Sequence, residues 1–240
     1  MEQQFLNYEF MGRAVIEIIK FIPVTLKITV VSILIAVLIA LLSALIRINK
    51  IPVLNKITGF YISFVRGTPL LVQIYLSYYG LPKLLDYINL RYGTEIDISS
   101  ISAISYVYIA FSLNVGAYLS ETFRAAILSV DKGQWEAALA VGMTKTKAFV
   151  RIILPQAFVI ALPNLGNTVI SLVKDTSLAF ILSVVEMMGQ AKIIGAHGLN
   201  FFEVYIVVAL LYWIICIIIE RAVNLWEKKL RVFERGVSKW

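Results

Sequence analysis

Long unbroken apolar runs decide what this chain can fold into. Five stretches, residues 24–46, 57–81, 98–123, 156–185 and 204–223, are mostly apolar, and each is close to the about 20 residues a helix needs to cross a hydrocarbon layer of about 30 Å. Inside such a layer every backbone N–H and C=O must be paired within helices or a closed barrel. The runs are continuous rather than alternating, which excludes barrel strands. The expected class is therefore all-α, an integral membrane bundle of five transmembrane helices. Composition agrees, with 60% of the 240 residues hydrophobic and 15% charged, against about 45–50% and about 25% in soluble domains. One domain over residues 1–240 is expected, with no internal repeat and no low-complexity tract.

The net charge of +7 would suit a nucleic-acid binder, but its distribution does not. Most basic residues lie in the short segments between apolar runs, where they set membrane orientation. Fourteen of the 22 Lys and Arg fall on one side of the bundle and five on the other, with Lys27, Arg66 and Lys174 inside the runs. That asymmetry predicts an outside amino terminus and a cytoplasmic carboxyl terminus. No nucleic-acid partner is expected. The start of the chain, 1–20, carries Glu2, Glu9, Arg13 and Glu17 and lacks a cleavage site, so it is expected as a surface helix leading into the first span. Cys216 and His197 are each the single residue of their type, too little for a metal site or a Cys–His pair. Outside the bilayer, 81–97 is expected as a polar loop and 186–200 as a short helix and turn.

The cytoplasmic segment 124–155 is unusual for a connector. Gln134 to Val141 consists largely of helix formers, with Ala137, Ala138 and Val141 expected on one face. Asp131 and Gln134 can serve the start of that helix. Gly142 stops it, Thr144 can cap the next, and Pro155 follows Leu154. Small residues on an exposed helix let another backbone approach closely, although short connecting helices are also common in loops.

The sequence Glu136-Ala137-Ala138, then Gly142 and Leu154-Pro155, resembles the cytoplasmic signature loop of bacterial ABC importer permeases. Arg66-Gly67-Thr68-Pro69 resembles an element of the polar amino acid subfamily. Asn114 to Arg124 and Lys174-Asp175-Thr176-Ser177-Leu178 resemble two further stretches of that family, so ordered matches cover most of the chain. The resemblance implies that Glu136, Ala137, Ala138, Gly142, Leu154 and Pro155 dock an ATP-hydrolysing subunit. It also implies a bacterial inner-membrane location, an external solute-binding protein and a second permease chain, identical or paralogous. Many subfamily members carry Glu three residues before Arg66. Here Ser63 stands there, which is more similar to the cystine-type permeases.

Charges inside the spans need a partner or a water-filled cavity, since one at mid-bilayer costs at least about 2.5–3.5 kcal/mol. Arg66, beside helix-breaking Gly67 and Pro69, reads either as a substrate-path element or as a tie within its own broken helix or to Glu121. Lys174 and Asp175 point about 100° apart on a helix, so they either pair with other helices or face a ligand bearing both charges, with Pro163 and Gly166 allowing a bend. Lys27 near a span end can snorkel, and Glu121 and Arg124 are spaced to pair. The substrate-path candidates are thus Arg66, Lys174 and Asp175, joined through the family motif by Thr176 and Ser177. No catalytic residue, metal site or Walker-type phosphate loop is present. The chain is expected to be no enzyme and to bind no cofactor, with ATP and magnesium on the partner subunit. A self-sufficient secondary transporter or channel, or a receptor signalling through its loop, would use the same intramembrane charges or loop differently.

Overall fold

The structure, a computed structural model, describes residues 5–237, with side chains to residue 230. Met1, Glu2, Arg231, Arg235 and Lys239, which entered the charge and terminus arguments, lie outside the described side chains. The described chain is helical with no strand. Its helices are α1 (Tyr8–Ile19), α2 (Ile22–Ile48), α3 (Leu54–Gly67), α4 (Leu70–Tyr75), α5 (Leu81–Tyr92), α6 (Ala103–Ser129), α7 (Lys132–Ala140), α8 (Lys145–Ala148), α9 (Leu154–Asp175), α10 (Met187–Gly198) and α11 (Phe201–Val237). Four uninterrupted helical stretches are long and apolar enough to cross a membrane: Ile22–Ile48, Ala103–Ser129, Lys145–Leu182 and Phe201–Leu230.

The expected second span, 57–81, is instead two helices. After Gly67 the chain turns extended at Thr68 (ψ 147°) and Pro69 (ψ 140°) before α4 begins. Pro69 has no N–H to offer, so carbonyls ahead of it lose their helical donor. The side chain of Gln73, one turn further on and buried, replaces it. Its Nε2 donates to the carbonyls of Val65 (2.8 Å) and Thr68 (3.0 Å), and its Oε1 accepts from Asn114 Nδ2 on α6 (3.0 Å). Beyond α4 a π-helical turn, Leu76–Gly80, runs into α5. The polar loop expected over 81–97 is therefore mostly helix, ended by Gly93 at φ +66°. In the link that follows, Asp97 accepts from the Ser99 hydroxyl (2.6 Å), which holds its carboxyl below the ordinary value.

Small residues set the helix spacing. Ser32, Ala36, Ala40, Ser43 and Ala44 form a buried stripe on α2 facing α6, where Ser112 donates to the Ser32 carbonyl (3.3 Å). Close backbone approach of this kind supplies dispersion contacts in lipid, where no hydrophobic drive separates helix from solvent. Gly166 has the same role between α9 and α11: a Cβ there would lie 2.4 Å from Val223 Cγ1. The chain does not unwind at Pro163 and Gly166, since α9 continues as helix through both. Regular helix gives way later, to a 3₁₀ segment at Thr176–Leu182. The amino-terminal helix α1 is largely exposed and leads into α2, with one face seated on the bundle. Ala14 and Ile18 of α1 are buried in a cluster with Met187, Ala191 and Val204 of α10 and α11.

Two outcomes test this packing. Gly166→Val should lower the stability of the detergent-solubilised protein by about 1–3 kcal/mol through overpacking, visible as a lower midpoint in thermal unfolding. Gly12→Ala, inside α1 with nothing within 4 Å, should not lower the midpoint and should raise it slightly, since Ala is favoured over Gly in a helix by up to ~1 kcal/mol. Gln73→Leu should cost about 1–3 kcal/mol by stranding the Val65 and Thr68 carbonyls. An unaltered midpoint would show that those carbonyls are satisfied by something else.

Candidate functional site

The broken second span opens one wall of a cavity of about 660 Å³ between α3–α4, α6 and α9. Asn114, Tyr118 and Thr122 reach it from α6, and Asn164, Thr168, Ser171 and Asp175 from α9. Each set recurs every three or four residues, which places it on one helical face. Two apolar spans thus each carry a narrow polar stripe, and the stripes meet across the cavity. Asn164 Nδ2 donates to Thr122 Oγ1 (2.8 Å), tying the stripes together.

Arg66 lines the cavity at the end of α3, its guanidinium carbon 5.5 Å from the centroid of the Tyr118 ring. This is a cation–π contact. The alternative pairing of Arg66 with Glu121 is not what forms. Glu121 accepts from Arg124 Nε (3.0 Å) and an Arg124 terminal nitrogen (2.8 Å), as the spacing suggested, and Arg47 lies 3.5 Å from its other oxygen. Asp175 lines the same cavity, half-buried at the end of α9. Lys174 is exposed and does not line it, because consecutive helical residues diverge as anticipated. Thr176 is buried and turned away, donating to the Val173 carbonyl (2.7 Å). Ser177 is half-buried and also off the cavity. Of the five substrate-path candidates, the structure brings Arg66 and Asp175 together.

A buried carboxylate fixes the segment after Asp175, and the sequence pattern gave no sign of it. Glu186 is fully buried and begins α10, its Oε1 accepting from Gly189 N (2.9 Å). Its Oε2 accepts from the Thr25 hydroxyl of α2 (3.2 Å) and the Tyr212 hydroxyl of α11 (2.5 Å). The Tyr212 hydroxyl also stands 3.5 Å from Thr176 Oγ1, linking this network to the 3₁₀ segment. Gln73 was likewise visible only as part of a motif; its position four residues after Pro69 was the available signal.

The cytoplasmic loop folds as two capped helices. Asp131 Oδ1 accepts from Gly133 N (2.6 Å) at the start of α7, and Thr144 Oγ1 from Lys147 N (3.4 Å) at the start of α8. At the end of α7, Met143 N donates to Ala138 O (3.1 Å) and Gly142 N to Leu139 O (3.0 Å). This is a Schellman closure, and Gly142 takes the required positive φ of +81°. Glu136, Ala137 and Val141 face outward, whereas Ala138 is only 6% exposed. The single face expected for Ala137, Ala138 and Val141 therefore divides, with Ala138 seating α7 against the bundle. Leu154 and Pro155 lie apart from this surface. They begin α9, after a π-helical turn at Phe149–Ile153 that joins it to α8 without interruption.

Comparison with known proteins bears on the same features. The chain is 45% identical over 225 residues to the probable amino-acid permease protein YxeN of Bacillus subtilis, covering 94% of this chain and 96% of that one. It is 42% identical over 216 residues to the L-cystine transport system permease protein TcyB of Bacillus subtilis, covering 90% and 86%. Among solved structures, the crystal structure of an amino acid ABC transporter with histidines superposes with a TM-score of 0.79 at 31% identity, covering 94% of this chain and all of that one. An inward-facing structure of the MetNI methionine ABC transporter shares the fold, with a TM-score of 0.68 at 17% identity, covering 88% and 95%. Residues 32–232 match the binding-protein-dependent transport system inner membrane components, and the chain belongs to that family.

Proposed function

We propose that this chain moves a polar amino acid across the membrane through the cavity shared by Arg66 and Asp175. The observation that carries the proposal is that pair. A zwitterionic amino acid presents a carboxylate and an ammonium, and the cavity offers Arg66 to the one and Asp175 to the other, with Asn and Thr side chains for orientation; Glu121 also lines it but is held by Arg124 and Arg47. Lys174 is replaced in this scheme by Arg66 as the carboxylate partner. Cystine is the first substrate to try, supported by Ser63 and by the names of the cystine-type relatives.

Transport needs energy that this chain does not supply. The outward face of α7, with Glu136, Ala137 and Val141, is the proposed seat of a separate ATP-hydrolysing subunit that carries the ATP and magnesium. Gly142 holds that face in shape, and Leu154 and Pro155 set where the following helix leaves the loop. A solute-binding protein delivers substrate on the opposite side, where the amino terminus lies. A second permease chain, identical or paralogous, completes the pathway by covering the open side of the cavity. The role is transport rather than catalysis.

Two experiments separate these parts. Gly142→Val places a β-branched residue at φ +81°, a region such residues rarely enter. The variant should insert and retain its cavity, yet lose ATP hydrolysis stimulated by the loaded binding protein in proteoliposomes. Normal stimulation would overturn the docking role of α7. Asp175→Asn and Arg66→Gln should each weaken uptake of a zwitterionic amino acid by roughly 10- to 100-fold, the worth of one charge-assisted hydrogen bond at about 1.5–3 kcal/mol. Radiolabelled uptake over a concentration series reads this directly, and unchanged uptake in both would remove the cavity from the substrate path.

A further inference from the structure

On a different face of α6 and α9 from the polar cavity lies a second groove in two neighbouring parts, walled on its third side by α2. Its inner part, about 400 Å³, is lined by apolar side chains alone, among them Val37, Leu41, Phe123, Phe158 and Leu165. Its outer part, about 620 Å³, is lined by Leu45, Ile48 and then by Asn49, Trp135, Lys132 and Lys145. Ile127 lines both parts, and Ile153 and Leu154 are consecutive residues lining one each, so the two parts are neighbours along α6 and the start of α9. Along α2 the lining residues Val37, Leu41, Leu45 and Ile48 follow one helical stripe.

We propose that this groove is a binding site for one phospholipid with an anionic headgroup, drawn from the leaflet on the side of the α7–α8 loop. Length supports this occupant. From Val37 to Ile48 the stripe rises about 16 Å at about 1.5 Å per residue, against about 15 Å for the hydrocarbon of one leaflet. Polarity changes where a lipid's does: the inner part is wholly apolar, and the outer part adds Asn49, Thr146, Asp131 and two lysines to a lining that is otherwise apolar. Lys132 and Lys145 meet there, and basic residues at this depth attract anionic headgroups. Asp131 lines the same chamber, but its Oδ1 is engaged by Gly133 N at 2.6 Å, at the start of α7. Trp135, half-buried at the same level, has the amphipathic ring found at headgroup depth. A bound lipid would touch α2, α6, α9 and the base of α7 together. The site thereby places a lipid beside the element proposed to receive the ATPase, without entering the substrate cavity.

The test uses the permease in complex with its ATPase, in nanodiscs of equal phosphatidylethanolamine and phosphatidylglycerol, with retained lipid counted by native mass spectrometry. Wild type should keep phosphatidylglycerol in preference. Lys132→Gln and Lys145→Gln should each lower that retention about fivefold, the equivalent of ~1 kcal/mol per basic residue at an anionic surface. Lys228→Gln with Lys229→Gln, two exposed lysines of α11 away from the groove, should leave it unchanged. Leu41→Trp, filling the apolar part from a half-buried position, should abolish retention of either lipid. Equal retention of the two lipids, an equal loss from the α11 pair, or undiminished retention in Leu41→Trp would each overturn the site. Should Leu41→Trp fail to assemble, the two exposed lysines of the chamber still decide the question.

Discussion

Within a bilayer an unpaired backbone carbonyl has no water to turn to, and the interrupted second span meets that constraint with a side chain. Proline at position 69 removes a helical donor, and the Gln73 amide returns it by reaching back to Val65 and Thr68. Its remaining oxygen accepts from Asn114, which anchors the break to the longest packed surface of the molecule, α2 against α6. Without that amide the extended turn would leave buried carbonyls stranded, and a straight helix would close the space it opens. The polar cavity exists because a glutamine makes an interrupted helix tolerable in lipid.

The other wall is held by different means. Asp175 ends α9 where regular helix stops, and the 3₁₀ segment that follows passes Thr176 toward Tyr212 and Glu186. Among the described residues, the hydrogen-bond donors to Glu186 are two hydroxyls and a backbone N–H, from three helices. Through these hydrogen bonds the buried side chain joins α2, α10 and α11. Each cavity wall is thus positioned by a polar side chain that does not itself line the cavity.

The all-helical class, four long apolar helices and the capped loop were legible in the sequence, because long apolar runs and cap residues act locally. What escaped depends on partners distant in the chain. Gln73 and Asn114 are 41 positions apart, and Glu186 and Thr25 are 161 apart. Lys83, Asp86 and Arg91 made α5 look like a polar loop, although Leu84, Leu85 and Ile88 recur at helical spacing. Ala138 reads the same as Ala137 in sequence, yet packing against the bundle sends one inward and leaves the other out. Charge pairing misled in the same way: Arg66 and Glu121 had opposite signs, but Arg124 one turn away claimed the carboxylate first.

The unbroken run from Lys145 through the π-helical turn to Asp175 also has a mechanical meaning. One end begins beside the α7 surface and the other carries a cavity carboxylate, about 45 Å away along a helix rising about 1.5 Å per residue. Moved as one body, a strut of this length carries motion imposed at one end to the other. Tilting it by about 5° about one end would carry the other by about 4 Å, on the same geometry. A small rotation imposed at the loop would arrive at Asp175 as a displacement comparable to the width of a water molecule, enough to part that carboxylate from whatever it holds.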